Sequence, residues 1–120
     1  MTAGIMTAFQ QAERPMPVVG DTGAEKAGLA YWRAHESSYK GVAIGNGAGA
    51  LAFAASEVAQ RMLAGDGVKV SDISLIPVLI TTENLNQWVS PSWTFSTQGT
   101  ASGPRDSLLP ASLLDAVFRK

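Results

Sequence analysis

The sequence predicts an α/β fold, with a parallel sheet at the centre of a three-layer αβα arrangement. Three observations lead there. The stretch Gly41 to Gly67 combines a short apolar run, a glycine-rich turn, a long amphipathic segment and a glycine stop. Two more apolar runs, Met16 to Gly20 and Leu75 to Thr82, are set apart by segments of helical periodicity. An order of α-β-α-β-α-β followed by a tail implies right-handed parallel crossovers.

The elements follow in order. Residues 1–14 place Met1, Ile5, Ala8, Phe9 and Ala12 on one helical face, and Pro15 and Pro17 end the helix. Met16 to Gly20 is a buried-type strand, and Asp21-Thr22-Gly23 turns the chain at its carboxyl end. Residues 24–36 form a second helix that offers Ala27, Leu29, Ala30, Tyr31 and Ala34 for burial. Residues 40–44 make the second strand. In the central helix, Leu51, Ala55, Val58 and Met62 recur at 3–4 spacing, as do Ala48, Ala52, Ala59 and Leu63. Gly65 and Gly67 stop that helix, because glycine takes left-handed dihedrals without a Cβ penalty. Residues 75–82 are the third strand, with Pro77 favouring a strand start or an edge. Residues 86–107 read as loop, and 108–118 as a short final helix. The whole, 1–120, is a single partial α/β domain: βα units over 1–85 and a tryptophan-bearing tail over 86–120.

Bulk properties narrow the function. Apolar residues are 46% of the chain and charged residues 16%, which suits a globular fold. A net charge of −1 without a Lys/Arg cluster argues against nucleic-acid partners. There are no cysteines, so no disulfide or thiolate metal site can form. No run approaches the ~20 apolar residues of a membrane span, and the first residues lack the pattern of a secretory signal. The chain as given is therefore expected in the cytoplasm and not embedded in a membrane.

Candidate chemistry is sparse. Gly45-Asn46-Gly47-Ala48-Gly49-Ala50 lies where a dinucleotide fingerprint would, but its spacing is degraded and the acidic residue about 20 positions on is missing. A tight turn with close helix–strand packing accounts for it better. Asp21 follows a strand, where a carboxylate can accept two hydroxyl hydrogen bonds or instead cap the next helix. Asn46 holds the corresponding place after the second strand, as a hydroxyl ligand or as a turn residue. His35, the only histidine, falls in a last helical turn and suits solvent. No nucleophile has a base beside it, so no enzymatic activity, metal or cofactor is expected. Trp32, Trp88 and Trp93 could stack on a sugar, although core or interface anchoring is the commoner use of tryptophan.

Several runs resemble periplasmic sugar-binding proteins of the ribose/xylose type, the solute-binding components of ABC importers. The run ASEVAQRMLAGDGVKVSDISLIPVLITTEN is similar to their closing segment. Leu63-Ala64-Gly65-Asp66-Gly67-Val68 matches the end of their last long helix, and Thr81-Thr82-Glu83-Asn84 a following T-x-E-N element. The opening MTAGIMTAFQQAERPMPVVGDTG resembles their block ending in VPVVGFDG, although its aromatic is absent here. The resemblance extends over about residues 1–90.

The resemblance implies part of a type I periplasmic-binding-protein-like lobe, with Asp21 and Asn46 as ligand-binding residues. The implied ligand is a sugar or other small polyol, and the implied partner of the parent family is an ABC permease in the periplasmic setting. A chain equivalent to a truncated C-terminal lobe would hold one side of a ligand and have little or no affinity alone. An open sheet edge favours a homo-oligomer or pairing with the missing N-terminal lobe. Two alternatives share the fold: an effector-binding fragment of a LacI-type transcription regulator, and a stand-alone α/β interaction protein.

Overall fold

The computed structural model describes residues 1–45, 47–104 and 108–119. It contains five helices and three strands among those residues: α1 (Thr2–Gln11), β1 (Gly20–Asp21), α2 (Lys26–Ala34), β2 (Val42–Gly45), α3 (Ala48–Leu63), β3 (Val78–Ile80), α4 (Leu85–Trp88) and α5 (Ala111–Val117). The chain is thus mixed α/β, as the sequence predicts. No helix among the described residues is long and apolar enough to cross a membrane.

The sheet corrects two expectations. Its order is β1-β2-β3, with β1 and β2 parallel but β2 and β3 antiparallel. The reason lies in where α3 goes. A crossover helix must lie back along the sheet before the next strand can run parallel. Here α3 leads away, and residues 64–77 return the chain to its point of departure, so that Val78 pairs with Gly45. The third strand therefore runs the other way.

The second correction concerns layers. Helices α1, α2 and α4 cover one face of the sheet, and α3 leaves the other without a helix. Along the covered face, Asp21, Ala43 and Ile80 stand in one cross-strand row and are all buried. On the other face Val42 and Leu79 are exposed, at 38% and 55%. The out-and-back path also lengthens the molecule to 58 × 24 × 23 Å. Its radius of gyration, 17.2 Å, exceeds the ~13–14 Å of a compact chain of this length.

Two apolar clusters result. One joins Met6, Leu29, Trp32, Tyr39, Ala43, Ile80, Leu85, Trp88 and Ala101 between the sheet and its helices. The other joins Ala54 of α3 to Leu109, Leu114, Val117 and Phe118, with Val58, Val68, Ile73 and Leu75 packed against it. The connector is pinned to the chain end by Lys69 N–H donating to Val117 O (2.9 Å) and Arg119 N–H donating to Gly67 O (2.7 Å). Arg61 adds ion pairs to Asp115 and Asp66.

Helix faces are rotated from those expected. In α1 the buried residues are Thr2 and Met6, while Met1 and Ile5 are exposed. Close contact with α2 sets this face: a Cβ on Gly28 would lie 2.9 Å from the Thr2 methyl. In α3 only Ala50 and Ala54 are buried, and Leu51, Met62 and Leu63 face out. The tail holds a helical turn, α4, that its composition does not signal. Tertiary packing of Leu85 and Trp88 makes that turn worthwhile, since both are almost fully buried.

Trp88 fills the space that two glycines leave open. A Cβ on Gly45 would sit 2.1 Å from its ring, and one on Gly103 2.2 Å. Gly45→Ala should therefore cost about 1–3 kcal/mol or more through overpacking. Urea unfolding of the variant checks this, with an exposed Gly4→Ala in α1 as the control, since Gly4 has nothing within 4 Å.

Candidate functional site

Asp21 closes β1 and starts the turn into α2. Its carboxylate is turned inward toward the helical layer and is 7% exposed. Oδ1 accepts from Gly23 N–H at 2.9 Å, and Oδ2 from Glu25 N–H at 2.6 Å. This is an Asx-type turn whose second bond reaches the N-cap residue of α2. Each oxygen keeps lone-pair capacity beyond its backbone bond. The turn bends sharply, with Ala24 at φ +50°. Beside it lies a cavity of about 190 Å³ that reaches Thr2, Ile5, Val19, Thr22 and Thr100.

Asn46, the second expected ligand residue, lies outside the described residues. Its flanks are defined. Gly45 ends β2 beside the carboxyl end of β1, and Gly47 is the N-cap of α3, its carbonyl accepting from Ala50 and Leu51 N–H. The glycine turn owes its composition to the tail. A Cβ on Gly47 would meet Ala101 O at 2.6 Å, and one on Gly49 would meet Ser102 Oγ at 2.5 Å. Residues 99–103 thus lie against the turn, which accounts for its glycines without a nucleotide.

The tail is tied to α2 as well. Lys26 N–H donates to Gly99 O (2.9 Å), Ala101 N–H donates to Ala24 O (2.8 Å), and Glu25 bridges Thr100. Glu25 in turn reaches α1: its carboxylate accepts from Ala3 N–H at 3.0 Å and pairs with the Met1 ammonium. Partial burial pulls the Glu25 carboxyl upward, but the ammonium and the Ala3 and Thr2 N–H groups outweigh it and hold it below the usual value. Arg33 clamps the loop after α4, donating to the carbonyls of Ser90, Pro91 (3.1 Å) and Trp93 (3.3 Å). Sequence reading missed Arg33, because its partners are backbone atoms nearly sixty residues away.

The other singled-out residues fall into structural places. His35 is exposed at the end of α2, stacked on Tyr31 at 4.1 Å. Trp32 and Trp88 are core residues, and Trp32 Nε1 is buried without a partner among the described residues. Trp93 is half-buried, with Lys26 Nζ 5.1 Å from its ring centre. Tyr39 is buried, its hydroxyl accepting from Val19 N–H at 3.3 Å, and burial raises the phenol above its usual value. No group of three His, Cys, Asp or Glu among the described residues could hold a metal ion.

Asp21 should act on stability through the turn. Asp21→Ala removes the acceptor of two backbone N–H groups and should cost about 0.5–2 kcal/mol. Thermal unfolding checks this, and Asp21→Asn should recover part of the loss, since its amide oxygen still accepts one bond. Compared with protein-family models, curated proteins and solved structures, the chain matches none.

Proposed function

We propose that the chain is a sugar-binding component of an ABC importer, corresponding to part of the C-terminal lobe of such a protein, and acts by binding rather than catalysis. The supporting observation is the β1-α2-β2 unit. Its two strands are parallel, and Asp21 and Gly45 stand at neighbouring carboxyl ends. Open α/β sheets bind ligands beyond the carboxyl ends of their strands. Asp21 and Asn46 are the proposed ligand residues, with Asp21 using the acceptor capacity that its backbone bonds leave. One lobe encloses one side of a sugar, so affinity at this rim is low until a second lobe completes it. Deleting the gene and following uptake of labelled pentoses and hexoses tests the proposal. Loss of uptake of one sugar, restored by the gene, is expected. Unchanged uptake of the whole panel would overturn it.

The proposal includes a second copy as partner. The uncovered sheet face presents Val42 and Leu79, and Val18 beside β1 is 72% exposed. Burying such a face favours association by about 25 cal/mol per Å² of apolar surface before the entropic cost of binding. Sedimentation of the protein should show a dimer, and Leu79→Lys should shift it to monomer without loss of helical signal. A wild-type monomer at high concentration would remove this part.

A further inference from the structure

The largest cavity described adjoins the one beside Asp21, sharing Glu25 and Thr100 with it, and extends between α1, the start of α2 and residues 95–100 of the tail, with a volume of about 620 Å³. That is within the ~300–1,000 Å³ usual for small-molecule sites. Its walls are held in place before any ligand arrives. Lys26 and Ala101 N–H bonds fasten the tail to the start of α2, and the Glu25 carboxylate fastens α1. A wall already ordered loses little entropy when it binds.

The lining groups are of one chemical kind. The hydroxyls of Thr7, Ser96 and Thr100 and the amide of Gln98 border the cavity and have no protein partner among the described residues. Hydroxyls and amides both donate and accept, so together they match a ligand whose own groups do both. Phe95 adds an aromatic surface, half-buried and in edge contact with Tyr31 at 5.8 Å. An aromatic ring pairs with the C–H face of a sugar ring as readily as with another apolar surface. The one charged lining group, Glu25, is already engaged by the Met1 ammonium and Ala3 N–H, so it fixes a wall of the cavity rather than setting its charge.

We propose that this cavity is a second site for a neutral saccharide, read by Thr7, Ser96 and Gln98, which do not line the Asp21 cavity, over Phe95. It stands on the cavity alone and does not need Asp21 or Asn46 to touch a ligand, or the chain to serve an importer.

The test is an amide-resolved NMR titration of the full chain with glucose, galactose and xylose. At least one neutral sugar should give saturable shifts at Thr7, Ser96 and Gln98, which line this cavity and not the one beside Asp21. Gln98→Ala and Thr7→Val, each with an otherwise unchanged spectrum, should weaken that sugar about 3–10-fold, the effect of a lost hydrogen bond. Saturable shifts confined to Gly20–Gly23 would overturn the cavity site while leaving the importer proposal standing. No saturable shift with any neutral sugar would overturn it too, as would unaltered affinity in both variants.

Discussion

The structure depends on how closely the tail can approach the turn after β2. Gly45, Gly47 and Gly49 present bare backbone, and Trp88, Ala101 and Ser102 occupy the space that side chains would need. That approach lets residues 99–101 reach the start of α2, where two backbone hydrogen bonds hold them. Trp88 and Ala101 then complete the cluster around Ile80 and Leu85. Without the three glycines the tail would stand off the sheet. The larger cavity would lose a wall, and the Trp88 ring would return to water at a cost of a few kcal/mol.

Much of the local structure was legible from spacing and punctuation. The prolines after α1, the periodicity of α2 and the glycines after α3 place those helices within a few residues. Asp21 was legible as a turn former, and the structure shows that role directly in its two backbone bonds. What failed was everything set by distant partners. The direction of β3 depends on where residues 64–77 return the chain, and nothing in Leu75 to Thr82 encodes direction. The buried face of α1 depends on the bare surface of Gly28 in another helix. Arg33 and the tail's hydroxyls gain their significance from backbone carbonyls and cavity walls remote in sequence, so their composition alone reads as loop.

The candidate site shows the same division. A carboxylate after a strand can serve its own backbone or a ligand, and Asp21 serves its backbone with both oxygens while facing the helical layer. The hydroxyl-lined space lies instead between α1 and the tail, two segments that no sequence pattern links. Polar groups there have been left without protein partners at positions where water or a ligand can reach them, so their pairing costs no buried desolvation in the free state.

The excursion through α3 has a consequence for cooperativity. The cluster around α3 and α5 has no member in common with the cluster around the sheet, and the element at its centre buries only two alanines of its own. Such a division favours opening of the outer cluster while the strands stay paired. Amide protons along α3 should then exchange with solvent through a shallower opening than those of Ala43 or Ile80.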